Sequence, residues 1–196
     1  MRLAPLLLLA LPALMRAADA PLDPAQTKIT FTGHATLHDF EGAARDIKGD
    51  AQVDAANPNF VTSAMVTVGT ATMTTFSTGR DQHMREWLHV DANPKIEFHL
   101  AKITRTAPGT ISGPSKNPPQ FDVTGEFTLN GSTKPLTAKA TGWIDGTTLI
   151  IEGKTKIDTT AYGLPIIQQF FLTVDKNVDV TFHLVFDVPA GTRAPH

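Results

Sequence analysis

The sequence predicts an all-β fold of about eight antiparallel strands with one or two short helices. Two observations support this prediction. From Lys28 onward, apolar and polar residues alternate with a period of two, which is typical of half-buried strands. The pairs Asn130-Gly131 and Asp145-Gly146 separate consecutive alternating segments and favour tight hairpins, because these residues tolerate positive φ. Eight strands in about 160 residues fit either a closed barrel or a sandwich.

The predicted strands follow one another along the chain, each marked by one alternating series. The series cover residues 29–33, 47–53, 64–68, 96–100, 121–129, 136–143, 148–157 and 178–186. The segment 107–120 is rich in Pro, Gly and Ser and is predicted to be a loop within one domain.

One segment has the spacing of a helix. Met84, Trp87 and Leu88 stand at i, i+3 and i+4 within residues 79–88, which is the apolar stripe of a short amphipathic helix. Ser77 or Thr78 is placed to cap it. A second short helix or turn is predicted near residues 158–164.

The N-terminus has the pattern of a secretory signal. Arg2 precedes an apolar stretch over residues 3–15, and Ala18-Asp19-Ala20 provides the small residues of a cleavage site. Residues 1–20 are therefore predicted to be a signal peptide, and residues 21–196 a single domain. Pro21 disfavours cleavage after Ala20, so a site one or two residues earlier is the alternative. Export leads to the periplasm if the source is a diderm bacterium.

Composition excludes several function classes. The chain has 196 residues, a net charge of −2 and no cysteine, so disulfide scaffolds, thiolate metal sites and cysteine nucleophiles are excluded. A near-neutral chain without a Lys/Arg block is not expected to bind nucleic acid. Serine-hydrolase, P-loop, dinucleotide-binding and zinc-protease motifs are absent from the sequence. We therefore predict a protein that is not an enzyme and that carries no cofactor or metal.

Three stretches together resemble the YceI-like family. Arg80-Asp81-Gln82-His83-Met84, followed by residues 87–90 and 93–98, is similar to the family's RD-x-H-L, F-L-D-V and Y-P-x-I-x-F signature. Residues 123–136 are similar to its V-x-G-x-L-T-L-x-G-V-T-K-P-V element, and residues 157–164 resemble its I-x-R-x-D-F-G-L element. The match covers nearly the whole predicted domain, in order.

The resemblance implies an extended, lipocalin-like antiparallel β-barrel in the periplasm, with an apolar tunnel that binds a polyisoprenoid or another amphiphile. It implies no catalytic activity. The sequence departs from the family pattern at three places: residues 158–160 carry no arginine, and Trp87 and Asn93 stand where Phe and Tyr are commoner. If that arginine positions a head group, the ligand preference here differs.

The residues by themselves leave open whether the barrel is filled or hollow. Inward aromatic side chains could fill it, whereas small inward residues such as Gly33 and Gly125 could leave space. With the resemblance, the tunnel is preferred. The expected tunnel and lid residues are Phe31, Phe76, Met84, Trp87, Leu88, Phe98, Phe127, Trp143 and Phe182.

Several polar residues have more than one interpretation. Arg80 and Asp81 are candidates either for a head-group contact or for an internal anchor of the predicted helix. His34 and His38 are four residues apart and carry the alternative of a His-dependent metal protein, although a regular strand would separate them by about 13 Å. The other alternative is a periplasmic interaction or stress protein with a filled barrel. A homodimer and an inner-membrane protein partner are left open.

Overall fold

The computed structural model describes residues 17–54, 57–113, 116–169, 171–190 and 192. This part of the chain is predominantly strand. The strands are β1 (Ala18–Pro21), β2 (Lys28–Ala35), β3 (Phe40–Ala43), β4 (Ile47–Val53), β5 (Val61–Gly69), β6 (Lys95–Ala107), β7 (Gln120–Leu129), β8 (Ser132–Asp145), β9 (Thr148–Asp158), β10 (Gln168–Gln169) and β11 (Leu172–Asp187). Helix α1 spans Thr78–Trp87, and 3₁₀ helices span Thr70–Thr72 and Thr159–Tyr162.

The all-β prediction is confirmed, and each of the eight expected series lies within a strand. The helix predicted over residues 79–88 is α1, and the turn expected near residues 158–164 contains the 3₁₀ helix Thr159–Tyr162. Three short strands were not predicted from the sequence. β3 has four residues and β10 has two, too few for a period to show. β1 overlaps residues 18–20, which were interpreted as the cleavage site of a signal peptide.

Ten strands form one antiparallel sheet in the order β1-β4-β5-β6-β7-β8-β9-β11-β2-β3, and β10 pairs with β11 alone. The predicted hairpins are present, with Asn130 at φ 49° and Gly131 and Gly146 also at positive φ. The sheet curls round on itself. Leu22 N donates to Gly49 O of β4, and Asp23 N donates to Val185 O of β11, so the chain after β1 links strands that are remote in the sheet order. The result is a barrel-like fold.

The two ends of the barrel differ in packing. We call the end formed by Phe60, Ile144, Leu149 and Phe186 the closed end, because these side chains are buried in one apolar cluster. At the opposite end, α1 and the 3₁₀ helix Thr159–Tyr162 cover the sheet with a second cluster, in which Leu88 and Leu164 are buried. We call this second end the open end, because the cavity described below reaches it. In the described residues, no helix is long and apolar enough to cross a membrane.

Candidate functional site

A cavity of about 700 Å³ runs inside the barrel. Its walls come from the inward faces of β2, β5, β6, β7, β8, β9 and β11, and Phe186 of the closed end contributes to its boundary. Side chains of α1 line it at the other end, together with residues 165–168. The aliphatic part of the wall includes Ile29, Val66, Val68, Leu100, Ile103, Val123, Ile151, Val178, Val180 and Leu184. The inward residues of the alternating strands therefore line a cavity in addition to forming a packed core.

Phenylalanine rings in the wall lie against glycines of the neighbouring strand. A Cβ atom added at Gly42 would sit 2.1 Å from the Phe31 ring, and one at Gly153 would sit 2.5 Å from the Phe182 ring. At Gly125 the same atom would meet the Phe98 ring at 2.4 Å. Such rings occupy the place of the missing side chains, so they lie along the sheet and need less of the lumen.

This arrangement refines the expectation that small inward residues leave empty space. Gly33 is covered by the ring of Phe40, whose Cζ lies 2.3 Å from the position of an added Cβ. Space in the barrel therefore arises indirectly. The glycines accept the rings, and the rings then leave the middle of the barrel open.

Helix α1 supplies the covering side of the cavity. Met84, Trp87 and Leu88, which form the apolar stripe of the predicted helix, all line it. The indole Nε1 of Trp87 donates to Pro165 O at 2.8 Å and so connects the helix to the segment before β10. Ser77 occupies the N-cap position, but its side chain makes no capping hydrogen bond.

Asp81 is the polar anchor of this helix. Its Oδ1 accepts from Thr75 N at 2.5 Å and from Thr75 Oγ1 at 2.6 Å, and its Oδ2 accepts from Thr74 Oγ1 at 2.8 Å. Burial alone would raise the pKa of Asp81. The hydrogen bonds from Thr75 and Thr74 and the charge of Arg85 together outweigh burial, so the pKa lies below its ordinary value. The anchor interpretation therefore applies to Asp81, which does not line the cavity.

Arg80 differs from its neighbour, because it lines the cavity. Its Nε donates to Thr75 Oγ1 at 3.2 Å, and its guanidinium lies 4.9 Å from the centre of the Phe40 ring. Among the described residues, Arg80 makes no ion pair with a carboxylate. The structure thus places a half-buried cation, stacked on an aromatic ring, in the wall of an apolar cavity.

A second polar group lies where β2 meets β11. The ring of His34 contacts two carboxylates, with Nε2 2.8 Å from Asp179 Oδ2 and Nδ1 3.0 Å from Asp39 Oδ2. Lys156 Nζ pairs with the other oxygen of Asp179 at 3.2 Å. Hydrogen bonds to Asp179 and Asp39 raise the pKa of His34 above its ordinary value, because both ring nitrogens donate only in the imidazolium form.

The place where the family pattern has an arginine contains a different ion pair. Lys176 Nζ of β11 donates to Asp158 Oδ2 at 2.7 Å, and Asp158 also accepts from Thr160 N at 3.1 Å. The hydrogen bond from Lys176, followed by that from Thr160, lowers the pKa of Asp158 to about 2. Lys176 lines the cavity, so β11 supplies a cation near a site where residues 158–160 have none.

Seven of the nine expected tunnel and lid residues line the cavity: Phe31, Met84, Trp87, Leu88, Phe98, Phe127 and Phe182. The expected positions of Phe76 and Trp143 are corrected. Phe76 is 69% exposed and does not line the cavity. Trp143 lies on the outer face of β8, since Ala138, Ala140, Gly142 and Ile144 are the buried residues and they alternate with it.

The histidines do not form a metal centre in the described residues, where no group of three His, Asp or Glu side chains is arranged to hold an ion. His34 is occupied by its two carboxylates, and His38 lines the cavity together with His83. His89 pairs with Asn130 Oδ1 at 3.0 Å. His99 is exposed on the outside of β6, as its place in the alternation predicted.

Phe40, Ile166 and Ile167 are among the cavity residues that the sequence did not predict. Phe40 opens a strand too short to be recognised, and Ile166 and Ile167 lie in a segment without a period. The only sequence signal for the isoleucines is their apolar character just before Gln168-Gln169, where the last long strand is about to begin. Their position beside the cavity depends on the bond from Trp87 to Pro165, which joins segments 78 residues apart.

A model of the YceI-like domain matches residues 21–186. UPF0312 proteins of Ectopseudomonas mendocina (strain ymp) and Pseudomonas aeruginosa (strain LESB58) are 33% and 31% identical to the chain over 115 residues, which is 58% of this chain in both cases. Those matches cover 53% and 52% of the two relatives, so the chain spans about half the length of the curated relatives it matches.

Solved structures agree with the fold. Burkholderia cenocepacia BcnA has a TM-score of 0.70 at 19% identity, covering 84% of this chain and 98% of its own. A polyisoprenoid binding domain from Saccharophagus degradans, implicated in plant cell wall breakdown, has a TM-score of 0.65 at 13% identity, covering 89% of this chain and all of its own. With the match over residues 21–186, the quoted motifs and this architecture, the chain belongs to the YceI-like domain family.

Proposed function

We propose that this chain is an exported, non-catalytic protein that binds a polyisoprenoid, an isoprenoid quinone or another long-chain amphiphile inside the barrel. The observation that carries the proposal is the apolar cavity of about 700 Å³, which is in the size range of small-molecule sites. The structure from Saccharophagus degradans, which has a similar fold, is that of a polyisoprenoid binding domain, which supports the same ligand class here.

The binding energy comes from transfer of the tail out of water. Each buried CH₂ group contributes about 0.8 kcal/mol, so a tail of ten carbons gains on the order of 8 kcal/mol before the cost of ordering it. Phe31, Phe98 and Phe182 offer flat surfaces along the wall. Met84 adds an adaptable side chain on the helix, which suits a ligand of variable length.

Arg80 is the proposed head-group contact. Its guanidinium pairs with no carboxylate of the described chain and is held by Thr75 and the Phe40 ring, so its remaining N–H groups can bind a phosphate or carboxylate. Lys176 already has Asp158 as its partner and is the weaker candidate. Among the proposed ligand classes, the proposal therefore favours amphiphiles with an anionic head group.

Native mass spectrometry on protein secreted by an expression host and purified without detergent tests the proposal. We expect an apolar adduct at one copy per chain, which organic extraction then identifies. Phe98→Asp should abolish the adduct, because a carboxylate in the apolar wall must be desolvated without a partner. Phe98→Leu is the matched control and should retain it. A folded Phe98→Asp variant that keeps the lipid contradicts the cavity model, and a bare wild type after incubation with isoprenoid quinones and fatty acyl compounds favours a filled-barrel interaction protein.

The role of Arg80 is separable from tail binding. Titration with an isoprenoid phosphate and with the isoprenoid alcohol of equal chain length should show that Arg80→Gln weakens the phosphate about tenfold, the size of one charge-assisted hydrogen bond. Binding of the alcohol should stay unchanged. An equal loss of affinity for both ligands would show that Arg80 contributes to the cavity wall and does not bind the head group.

Export also belongs to the proposal, and the apolar stretch 3–15 that suggests it lies outside the described residues. The structure bears on the cleavage site, since Ala18–Pro21 pair with β4 and Ala20 is buried. Cleavage after Ala20 would remove three of the four residues of β1. We therefore expect the mature chain to begin at or before Ala18, which its intact mass would show. The homodimer and the inner-membrane partner stay predictions.

A further inference from the structure

Five large apolar side chains are exposed to solvent, and three of them, Leu37, Phe76 and Phe171, do not line the cavity. In the described part of the chain, the large hydrophobic residues with high exposure are Leu37, Phe76, Ile166, Ile167 and Phe171, with values between 37% and 77%. We call these five the apolar rim. Isolated exposed hydrophobics are common on soluble proteins, whereas a cluster of them marks a contact surface.

Three rim segments are adjacent where β2 meets β11. Thr36 N donates to Thr173 O at 3.0 Å, and Thr173 N donates to Thr36 Oγ1 at 3.1 Å, which places Leu37 close to the beginning of β11. Phe171 directly precedes β11. Val174 N donates to Ile167 O at 3.0 Å, so the pair Ile166-Ile167 lies beside the same strand.

The neighbours of Phe76 in the sequence place it at the same end of the barrel. Thr75 and Arg80 line the cavity on either side of it in sequence, and Arg80 stacks on Phe40, which follows the loop that contains Leu37. Its φ of 59° is unfavourable for a bulky residue. A phenylalanine held in this conformation, with its ring in solvent, indicates that the fold keeps an apolar group outside at this point.

The rim is continuous with the cavity. Ile166 and Ile167 are both exposed and line the cavity, so one apolar surface runs from the outside to the inside of the barrel. From this continuity we infer that the apolar rim docks on the surface of a lipid bilayer. The inference rests on the proposed function, because a long tail that is insoluble in water passes from a bilayer into the cavity only where the two meet.

A bilayer fits this surface better than a protein partner does. The five side chains come from separate loops and short segments around an opening, which suits insertion of single side chains between lipid head groups. Charged residues of both signs lie near the rim: Asp39 and Asp175 are negative, and Arg80 and Lys176 are positive. A mixed surface is not drawn to anionic lipid by charge, so binding should depend on the apolar side chains and should persist in 0.5 M salt, where surface attraction is screened.

Flotation with phosphatidylcholine/phosphatidylethanolamine vesicles tests the inference on the full mature protein. We expect the wild type to float with the vesicles in both low salt and 0.5 M NaCl. The triple variant Leu37→Ser, Phe76→Asn and Phe171→Ser should lower the bound fraction at least tenfold. None of these three residues lines the cavity, so binding of a water-soluble short-chain isoprenoid should be unchanged. Asn is chosen at position 76 because it tolerates positive φ.

The matched control is Ala25→Ser with Ala101→Ser, which changes exposed small residues outside the rim and should float like the wild type. Phe98→Asp separates the two proposals, since it should lose the tail and still float. A wild type that does not float, or a triple variant that floats equally well, overturns the docking inference whatever the cavity holds. A triple variant that changes only the oligomeric state in gel filtration also overturns it, by assigning the rim to a second copy.

Discussion

The closed and open ends of the barrel use the same alternating strands for different purposes. At the closed end, Phe60 and Phe186 are fully buried, and the inward side chains meet across the barrel. Towards the open end, Phe31 and Phe182 lie against glycines of adjacent strands and line a cavity instead. In this barrel, the four rings that lie within 3 Å of a Cβ added at a neighbouring glycine, those of Phe31, Phe40, Phe98 and Phe182, all border the cavity.

The ends also differ in how polar groups are used. The open end is held by Asp81, which accepts three hydrogen bonds from Thr74 and Thr75, and by Trp87, which donates to Pro165. The cluster at the closed end is apolar. Polar anchors fix a helix over the cavity without filling it, because each hydrogen bond needs a defined direction but little volume.

Truncation of an aromatic residue should cost most at the closed end. Phe186→Ala is expected to lower the free energy of unfolding by about 4 kcal/mol, since it leaves a cavity in a packed cluster. Phe98→Ala should cost about half as much, because Phe98 is only half-buried and already borders open space. Urea denaturation of both variants measures the two values. Equal losses would mean that the two ends are packed alike, contrary to the comparison.

The glycine positions offer a smaller change that acts on the open half. At Gly42, the three nearest atoms to an added Cβ all belong to the Phe31 ring, so Gly42→Ala should push this ring away from the sheet. We expect a three- to tenfold loss of affinity for long tails and a smaller loss for short ones, with a stability cost of about 1 kcal/mol.

Gly79→Ala is the control for that substitution, because nothing lies within 4 Å of the added atom in the first turn of α1. Affinities for two isoprenoids of different length, measured by fluorescence competition, distinguish the variants. An unchanged long-tail affinity in Gly42→Ala would show that the ring is not held by the glycine.

The smallest effect concerns pH and the contact between β2 and β11. Because the folded state raises the pKa of His34, its contribution to stability is complete below about pH 6.5, the unfolded value. This contribution disappears as the pH rises through the higher folded value. His34→Gln should therefore flatten the change in unfolding midpoint between pH 6 and pH 8.5, and Asp179→Asn should do the same. If both variants show the same change in unfolding midpoint with pH as the wild type, the His34–Asp179 pair does not contribute to this pH dependence.

Much of the strand framework could be predicted from the sequence. Alternation in series such as 121–129 and 178–186, with hairpin pairs between strands, is a local signal of which face is buried. The helical spacing of Met84, Trp87 and Leu88 was equally local, and it correctly predicted helix α1. The error at Trp143 was avoidable, because the parity of Ala138 and Ala140 already assigned it to the outer face.

Other parts depended on contacts between distant segments. The strand β1 forms only because β4 pairs with it, and Leu22 joins β4 to the region of β11 only once the sheet has curled. Phe40 and Ile166 reach the cavity through neighbours far along the chain. By itself, therefore, the sequence determined which side chains face inward and where the helix lies. The tertiary structure decided which inward rings fill the barrel and which border a cavity, because that depends on the residue opposite each ring in another strand.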